Sequence, residues 1–171
     1  MKSLLSKLKG GDLRSIGASN EVVGLVLKSP GLLDELFDGL SVDDPRVRAR
    51  AADALEKVSV KHAEWLQPHR SRLLNDATRI EQKEVRWHVA QIIGRLKLTP
   101  KQRNKAVRIL RRYLETSDSQ IVKVSALQAL ADLAAQDHKL RPGVTRLARK
   151  ALETGSPSLK ARAKKLLRET G

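Results

Sequence analysis

A motif that recurs every 37 to 38 residues constrains the fold of this chain more than any other feature of its sequence. Each copy has an apolar anchor, a small or branched apolar residue four places later, and a large apolar residue four places after that. The anchors are Val47, Val85, Val122 and Leu159. Because offsets of four and eight lie on one face of an α-helix, each copy predicts an amphipathic helix.

A second stretch with helical spacing precedes each copy, for example Val107, Leu110 and Leu114 before the third. The repeating unit is therefore predicted to be a helix, a short turn and a second helix. Capping side chains before a proline mark helix starts at Ser29-Pro30, Asp44-Pro45, Thr99-Pro100 and Ser156-Pro157. Capping boxes are expected at Thr99 with Gln102 and at Ser117 with Gln120. The sequence has no sustained strict alternation, so no strand is predicted.

These segments resemble the HEAT-repeat family of α-solenoids. The first copy carries Asp43, Pro45, Val47, Arg48, Ala51, Ala52 and Leu55, and the next two repeat the pattern with Glu81, Val85, Arg86, Ala90 and Ile93 and with Asp118, Val122, Lys123, Ala126 and Leu130. The last copy departs from it at Gly155 and Lys164, as a terminal capping repeat would. The resemblance covers residues 30–170 and implies an all-α, right-handed α-solenoid.

The chain is expected to form a single domain over residues 1–171 without an internal linker. Residues 1–29 would form an N-terminal cap and partial unit, with a short end helix over residues 1–9 and a second helix over 19–27. Four helix pairs are predicted over residues 30–60, 65–98, 99–136 and 139–170. Lys7 interrupts the apolar run that a secretory signal needs, and the chain has no cysteine, so we expect a cytoplasmic location.

The net charge of +15 lies in the last two-thirds of the chain. Two clusters are not matched by acids, with Glu169 the one acid near the second, and like charges at helical spacing oppose helix formation, so these residues are the predicted contacts with a polyanionic partner. They are Lys101, Lys105, Arg108, Arg112, Lys160, Arg162, Lys164 and Lys165. The cation after each anchor forms a repeat ladder of Arg48, Arg86 and Lys123. An acid stands five residues before each of these three, which favours a structural role in fixing the turn.

These features predict a non-catalytic scaffold with a basic surface, most consistent with an acidic protein partner. The alternative is sequence-nonspecific binding to the backbone of duplex nucleic acid, because four aromatic residues offer few platforms for reading bases. No small-molecule substrate is inferred. No apolar stretch approaches the roughly 20 residues that span a membrane.

Motifs for catalysis or cofactor binding are missing. The sequence has no GxxxxGK[ST], GxGxxG, GxSxG or HExxH, and its four histidines are scattered, so neither a cofactor nor a metal is expected. A remote enzymatic alternative is similarity to the HEAT-like alkylpurine DNA glycosylases, which hold duplex DNA on a basic concave face. Trp87, Asp53 and Asp132 are the candidate site residues for that activity, although no motif of that family's site matches.

Overall fold

The computed structural model describes residues 3–170, which form eight α-helices and, as predicted, no strand. The α-helices are α1 (Ser19–Lys28), α2 (Leu33–Asp38), α3 (Pro45–Lys61), α4 (Lys83–Arg95), α5 (Pro100–Thr116), α6 (Gln120–Gln136), α7 (Arg141–Thr154) and α8 (Pro157–Glu169). Short 3-10 helices cover Leu4–Leu8, Pro30–Leu32, Gly39–Ser41, Ala63–His69, Ala77–Arg79 and His138–Leu140, and a π-helical turn covers Arg72–Asp76.

The helices form two layers. Helices α1, α3, α4, α6 and α8 pack side by side in that order, and we call them the inner layer. The outer layer consists of α2, the segment 63–79, α5 and α7, each packed against an inner helix. This stacking of helix pairs is an α-solenoid, in which neighbouring units complete each other's core. The number of units and their boundaries stay predictions.

The recurring anchors lie in the core between the layers. Val47, Val85 and Val122 are fully buried, and Leu159 in the last copy is 6% exposed. Gly94 allows α4 and α6 to approach closely, since a Cβ there would lie 3.0 Å from the Cα of Ala129. The helical periodicity of the sequence therefore becomes the periodicity of the core.

Three predicted helix caps are present. Asp44 accepts a hydrogen bond from the backbone N–H of Arg46, Thr99 and Gln102 form the capping box of α5, and Ser156 accepts from the N–H of Leu159. Two predictions were wrong. Ser29 makes no side-chain cap bond, and Ser117 accepts from the N–H of Ser119 in a turn before α6. These two hydroxyls lie in turns where the chain reaches the helix later than predicted.

The outer segment of the second repeat is not the regular helix that the sequence predicts. It consists of the 3-10 helix Ala63–His69, the π-helical turn Arg72–Asp76 and the 3-10 helix Ala77–Arg79. Pro68 lies inside it and has no N–H to donate, which prevents continuous α-helical hydrogen bonding. Leu66 and Leu73 are nonetheless fully buried, so the segment fills its place in the outer layer.

The N-terminal end helix predicted over residues 1–9 is a 3-10 helix over Leu4–Leu8 that packs against α1, α2 and α3. Leu4 and Leu8 are buried there. Met1 and Lys2, the first residues of that prediction, lie outside the described residues. The predicted second helix of this region corresponds to α1.

Candidate functional site

Four of the eight predicted partner-binding cations lie on the outward side of α5, opposite the buried Leu110. The ammonium group of one of them donates a hydrogen bond to the side-chain oxygen of Asn75 in the neighbouring outer segment, and this lysine is half-buried. The other three are exposed. The four are Lys101, Lys105, Arg108 and Arg112, with Lys105 the one that contacts Asn75.

The ion pairs of α5 within residues 3–170 use other cations. Arg103 binds Asp137 at 2.8 Å, and Arg111 lies 3.9 Å from Glu115. The four outward cations are therefore not neutralised by carboxylates in the described part of the chain. We call these four the outward α5 cations.

The remaining four predicted cations lie on α8, and one of them is bound to a neighbouring inner-layer helix, α6. Arg162 donates to the side-chain oxygen of Gln128 on α6 at 2.7 Å. A second lies 3.9 Å from Glu169. The four are Lys160, Arg162, Lys164 and Lys165, of which Lys165 is the neighbour of Glu169; all except Arg162 are exposed.

The eight cations do not converge on one surface. Helix α5 belongs to the outer layer, where it packs against α6 and the π-helical turn Arg72–Asp76. Helix α8 belongs to the inner layer, where it packs against α6 and α7. The structure therefore divides the predicted set between two layers, and none of the outward α5 cations is paired with a carboxylate within residues 3–170.

The repeat-ladder residues lie near the turns within each unit. Arg48 donates to the backbone carbonyls of Val42 and Asp43, each at 2.8 Å, and to the side chain of Gln82. The guanidinium of Arg86 donates to the carbonyl of Ile80 and stacks over the ring of Tyr113. Both arginines thus bind backbone oxygens of the turn that precedes their helix.

Lys123, the third ladder residue, differs from the two arginines. It is half-buried, and its side chain forms no hydrogen bond within residues 3–170. It lines a groove of about 260 Å³ together with Leu147 and Lys150 of α7. Its ammonium group therefore faces the space between the third and fourth repeats.

The residues considered for glycosylase activity do not form one site. Trp87, His88 and Asp53 line an inner-layer groove of about 690 Å³ beside the loop over residues 12–16. The carboxylate of Asp53 is engaged by the hydroxyl of Ser19 and by Lys57 at 2.7 Å. Burial lowers the pKa of His88, although Asp53 nearby acts in the opposite direction.

Asp132 lies in a different groove, of about 340 Å³, bordered by α6, α7 and α8. Its carboxylate accepts a hydrogen bond from Gln128 at 2.9 Å. Burial raises the pKa of Asp132 above its ordinary value. Asp132 and Trp87 therefore lie in separate grooves, and no aromatic residue lines the groove of Asp132.

Arg50 is a buried charged residue that sequence reasoning did not single out. Its guanidinium donates to the carbonyls of Leu8, Gly10, Asp12 and Ser15 at 2.5 to 3.0 Å. The loop closes around it because Gly10 and Gly17 adopt positive φ, and a Cβ on Gly17 would lie 2.9 Å from the guanidinium carbon. The sequence feature that could have identified Arg50 is its place on an alanine-rich helix face whose other residues are buried.

The outer layer also contains a groove that the sequence analysis missed. It lies between α5 and α7, encloses about 430 Å³, and we call it the α5–α7 groove. Its floor consists of Val107, Leu130, Val144 and Leu147. Its rim carries Arg111, Lys139, Arg146 and Lys150, with Glu115 as the carboxylate among its lining residues. The basic outer layer therefore also contains a groove lined by half-buried apolar side chains.

Within residues 3–170, no three histidine, aspartate or glutamate side chains come together as metal ligands. Across the same residues, no helix combines the length and the apolar character that crossing a membrane requires.

Comparison with known proteins identifies the fold family. A family model of HEAT repeats matches residues 33–131, which is more than half of the chain. A search of curated proteins found no match. The matched region spans α2 to α6, and so includes the first three recurring segments and the buried anchors Val47, Val85 and Val122. The chain therefore belongs to the HEAT-repeat family.

Proposed function

We propose that this chain is a non-catalytic scaffold that binds an acidic protein partner through its outer layer. HEAT repeats commonly serve as scaffolds for protein interactions. The observation that carries the proposal is the position of the outward α5 cations, which are not neutralised by carboxylates within residues 3–170 and belong to the same outer layer as the α5–α7 groove. A cytoplasmic location is part of the proposal.

The apolar groove favours protein over nucleic acid as the partner. Binding to a phosphate backbone depends on cations and counterion release, and it leaves apolar side chains such as Val144 and Leu147 without a role. A protein interface combines apolar contacts at its centre with polar contacts at its rim. Duplex nucleic acid is the second candidate, favoured by the four outward cations alone.

Several charges of the inner layer are paired within the protein, which makes them less available to an acidic partner. Arg95 binds Glu56 at 2.7 Å, and Lys57 binds Asp53 at the same distance. An external carboxylate would have to displace these contacts. The proposal involves no catalytic step, since the carboxylate of Asp53 beside Trp87 is already held by Ser19 and Lys57.

Fluorescence anisotropy tests the proposal with two labelled probes, a peptide of glutamate and leucine and a DNA duplex of arbitrary sequence. At an ionic strength of about 0.15 M we expect the peptide to remain bound. Duplex binding should fall steeply with salt, with a slope of about −0.9 per phosphate contact. Tighter binding of the duplex at this ionic strength would make nucleic acid the partner, and binding of neither probe would overturn the proposal.

A charge-reversal variant locates the surface. Replacing the four outward α5 cations with glutamate, K101E/K105E/R108E/R112E, should abolish peptide binding at about 0.15 M. The matched control reverses four exposed lysines outside the surface, K9E/K61E/K83E/K97E, and so has the same net charge. We expect the control to bind the peptide more tightly than the test variant. Equal loss in both would show that only net charge matters.

A further inference from the structure

The α5–α7 groove exposes apolar side chains that the chain itself does not cover. Val107 of α5 and Val144 and Leu147 of α7 are half-buried, whereas Leu130 beneath them is fully buried. Gly143 adds no side chain to the groove. Apart from the backbone of α7 itself, a Cβ at this position would meet the Arg146 guanidinium nitrogen, at 3.8 Å. The groove is therefore open along the side of α7 that faces α5.

Cations stand on both sides of this apolar floor. On the α5 side Arg111 lies 3.9 Å from Glu115, and on the α7 side Arg146 and Lys150 have no carboxylate among the residues that line the groove with them except Glu115. The groove continues toward Lys123 through a second depression that shares Leu147 and Lys150. Helix α7 has 14 residues, and at 1.5 Å per residue it lines a path of about 21 Å.

We infer that the α5–α7 groove binds an acidic amphipathic helix of the partner protein, with apolar side chains on the floor and carboxylates against both rims. The inference rests on the proposed function and names the element of the partner that is recognised. It follows from charge complementarity, since cations flank the floor on two sides. In an amphipathic helix, acidic residues can flank both edges of an apolar stripe.

An extended segment fits this arrangement less well. Its side chains alternate between two faces, so when its apolar residues meet the floor, the alternate residues point away from the protein. Its carboxylates would then lie far from both Arg111 and Arg146. The two-sided rim thus selects a helix over a strand.

Two labelled peptides of identical composition test the inference by anisotropy. In the first, leucines follow helical spacing and glutamates occupy the flanks. In the second, leucine and glutamate alternate, so the charge and mean hydropathy are unchanged but a helix has no apolar stripe. We expect the first peptide to bind at least about tenfold more tightly, as when buried anchor residues are gained. Its circular dichroism should show helix formation on binding, because short isolated helices are marginal in water.

A bulky residue at position 143 tests the groove directly. Gly143→Leu places a side chain in the open space without removing a core contact, and Gly143→Ala is the matched control. Gly143→Leu should weaken binding of the striped peptide about tenfold, and Gly143→Ala should change it less than about twofold. Thermal unfolding of both variants checks that the fold is intact.

Reversing the two charges on the α7 side of the groove distinguishes an effect of the groove on binding from an effect of net charge. R146E/K150E should weaken the striped peptide more than K9E/K83E, which changes the net charge equally at exposed sites elsewhere. Equal binding of the two peptides, or normal binding to a folded Gly143→Leu protein, would overturn the groove inference while leaving the proposed function intact. Failure of the proposed function has a different signature, in which neither acidic peptide binds.

Discussion

Arg50 and Arg108 have the same side chain, yet the two layers of the molecule use them in opposite ways. Arg50 in the inner layer is 3% exposed, and its guanidinium donates to four backbone carbonyls of the N-terminal loop. Arg108 in the outer layer is exposed, and its guanidinium forms no hydrogen bond within residues 3–170. The net charge of +15 therefore combines cations that hold the fold together with cations that remain available to a partner.

The difference arises from what surrounds each helix. Inner helices are flanked by turns whose carbonyl oxygens need donors, and Arg48 and Arg86 supply them. The outward side of α5 faces solvent, so three of its four cations, Lys101, Arg108 and Arg112, are exposed. The position of a cation in the two layers is thus a better guide to function than the charge of the chain.

The largest effect on stability is expected from removing the buried guanidinium. Arg50→Met should lower the free energy of unfolding by roughly 2–4 kcal/mol, since hydrogen bonds to charged groups contribute about 1.5–3 kcal/mol each and are not additive. Urea denaturation measures the loss. Trypsin should also cut faster after Lys9 and Arg14, because the loop loses its anchor.

The outer-layer counterpart, Arg108→Met, should change the free energy of unfolding by less than about 0.5 kcal/mol. A loss at Arg108 equal to that at Arg50 would contradict the division between structural and available cations. Unchanged proteolysis of the loop in Arg50→Met would show that the four carbonyl contacts do not hold it.

Two glycine substitutions compare how tightly the inner and outer layers are packed. Gly94→Ala in the inner layer should destabilise by about 1–2 kcal/mol, since its Cβ would lie 3.0 Å from both Ala129 Cα and a carboxylate oxygen of Asp132. Gly143→Ala in the outer layer should stabilise by about 0.4–1 kcal/mol, because the site is open and alanine favours helix. Urea denaturation of both variants tests the opposite signs, and equal signs would refute the contrast.

A smaller, pH-dependent effect is expected at Asp44, which caps α3 and pairs with Arg46 at 3.0 Å. The hydrogen bond from the Arg46 side chain lowers the pKa of Asp44 from 3.8 to about 2. Because the folded-state pKa is depressed, the stabilisation is present above pH 3.8 and is lost as the pH falls through about 2.

Asp44→Asn keeps a good cap and removes the charge, so it isolates this contribution. The variant should be less stable than the parent at neutral pH, and the two should converge near pH 2 in urea denaturation at successive pH values. A difference that persists unchanged at that pH would instead assign the loss to altered capping geometry.

The smallest effect on stability is expected from the charges proposed to bind the partner. R108E/R112E should change the free energy of unfolding by no more than about 0.5 kcal/mol, as is usual for exposed substitutions. The same variant should lose affinity for the glutamate–leucine peptide. A large loss of stability would place these arginines with the structural cations of the inner layer.

Features that depend on neighbours a few residues apart were predicted from the sequence. The buried anchors, the helices of each repeat and the caps at Asp44, Thr99 and Ser156 follow from spacings of four residues or fewer within each segment. The irregular segment 63–79 was not predicted because its buried leucines keep helical spacing. Pro68 was the one residue in it that indicated an interrupted helix.

The sequence by itself determined the repeat, the all-helical fold and the surplus of cations, because helical periodicity and charge depend on residue types and on their spacing along the chain. The tertiary structure alone decided which cations are available. Arg162 meets Gln128 across 34 residues, and Arg50 meets Leu8 across 42. It also created the α5–α7 groove from Val107, Leu130 and Leu147, which three different helices contribute. Such contacts depend on how the layers stack, and stacking is set by the packing of whole helices rather than by any local pattern.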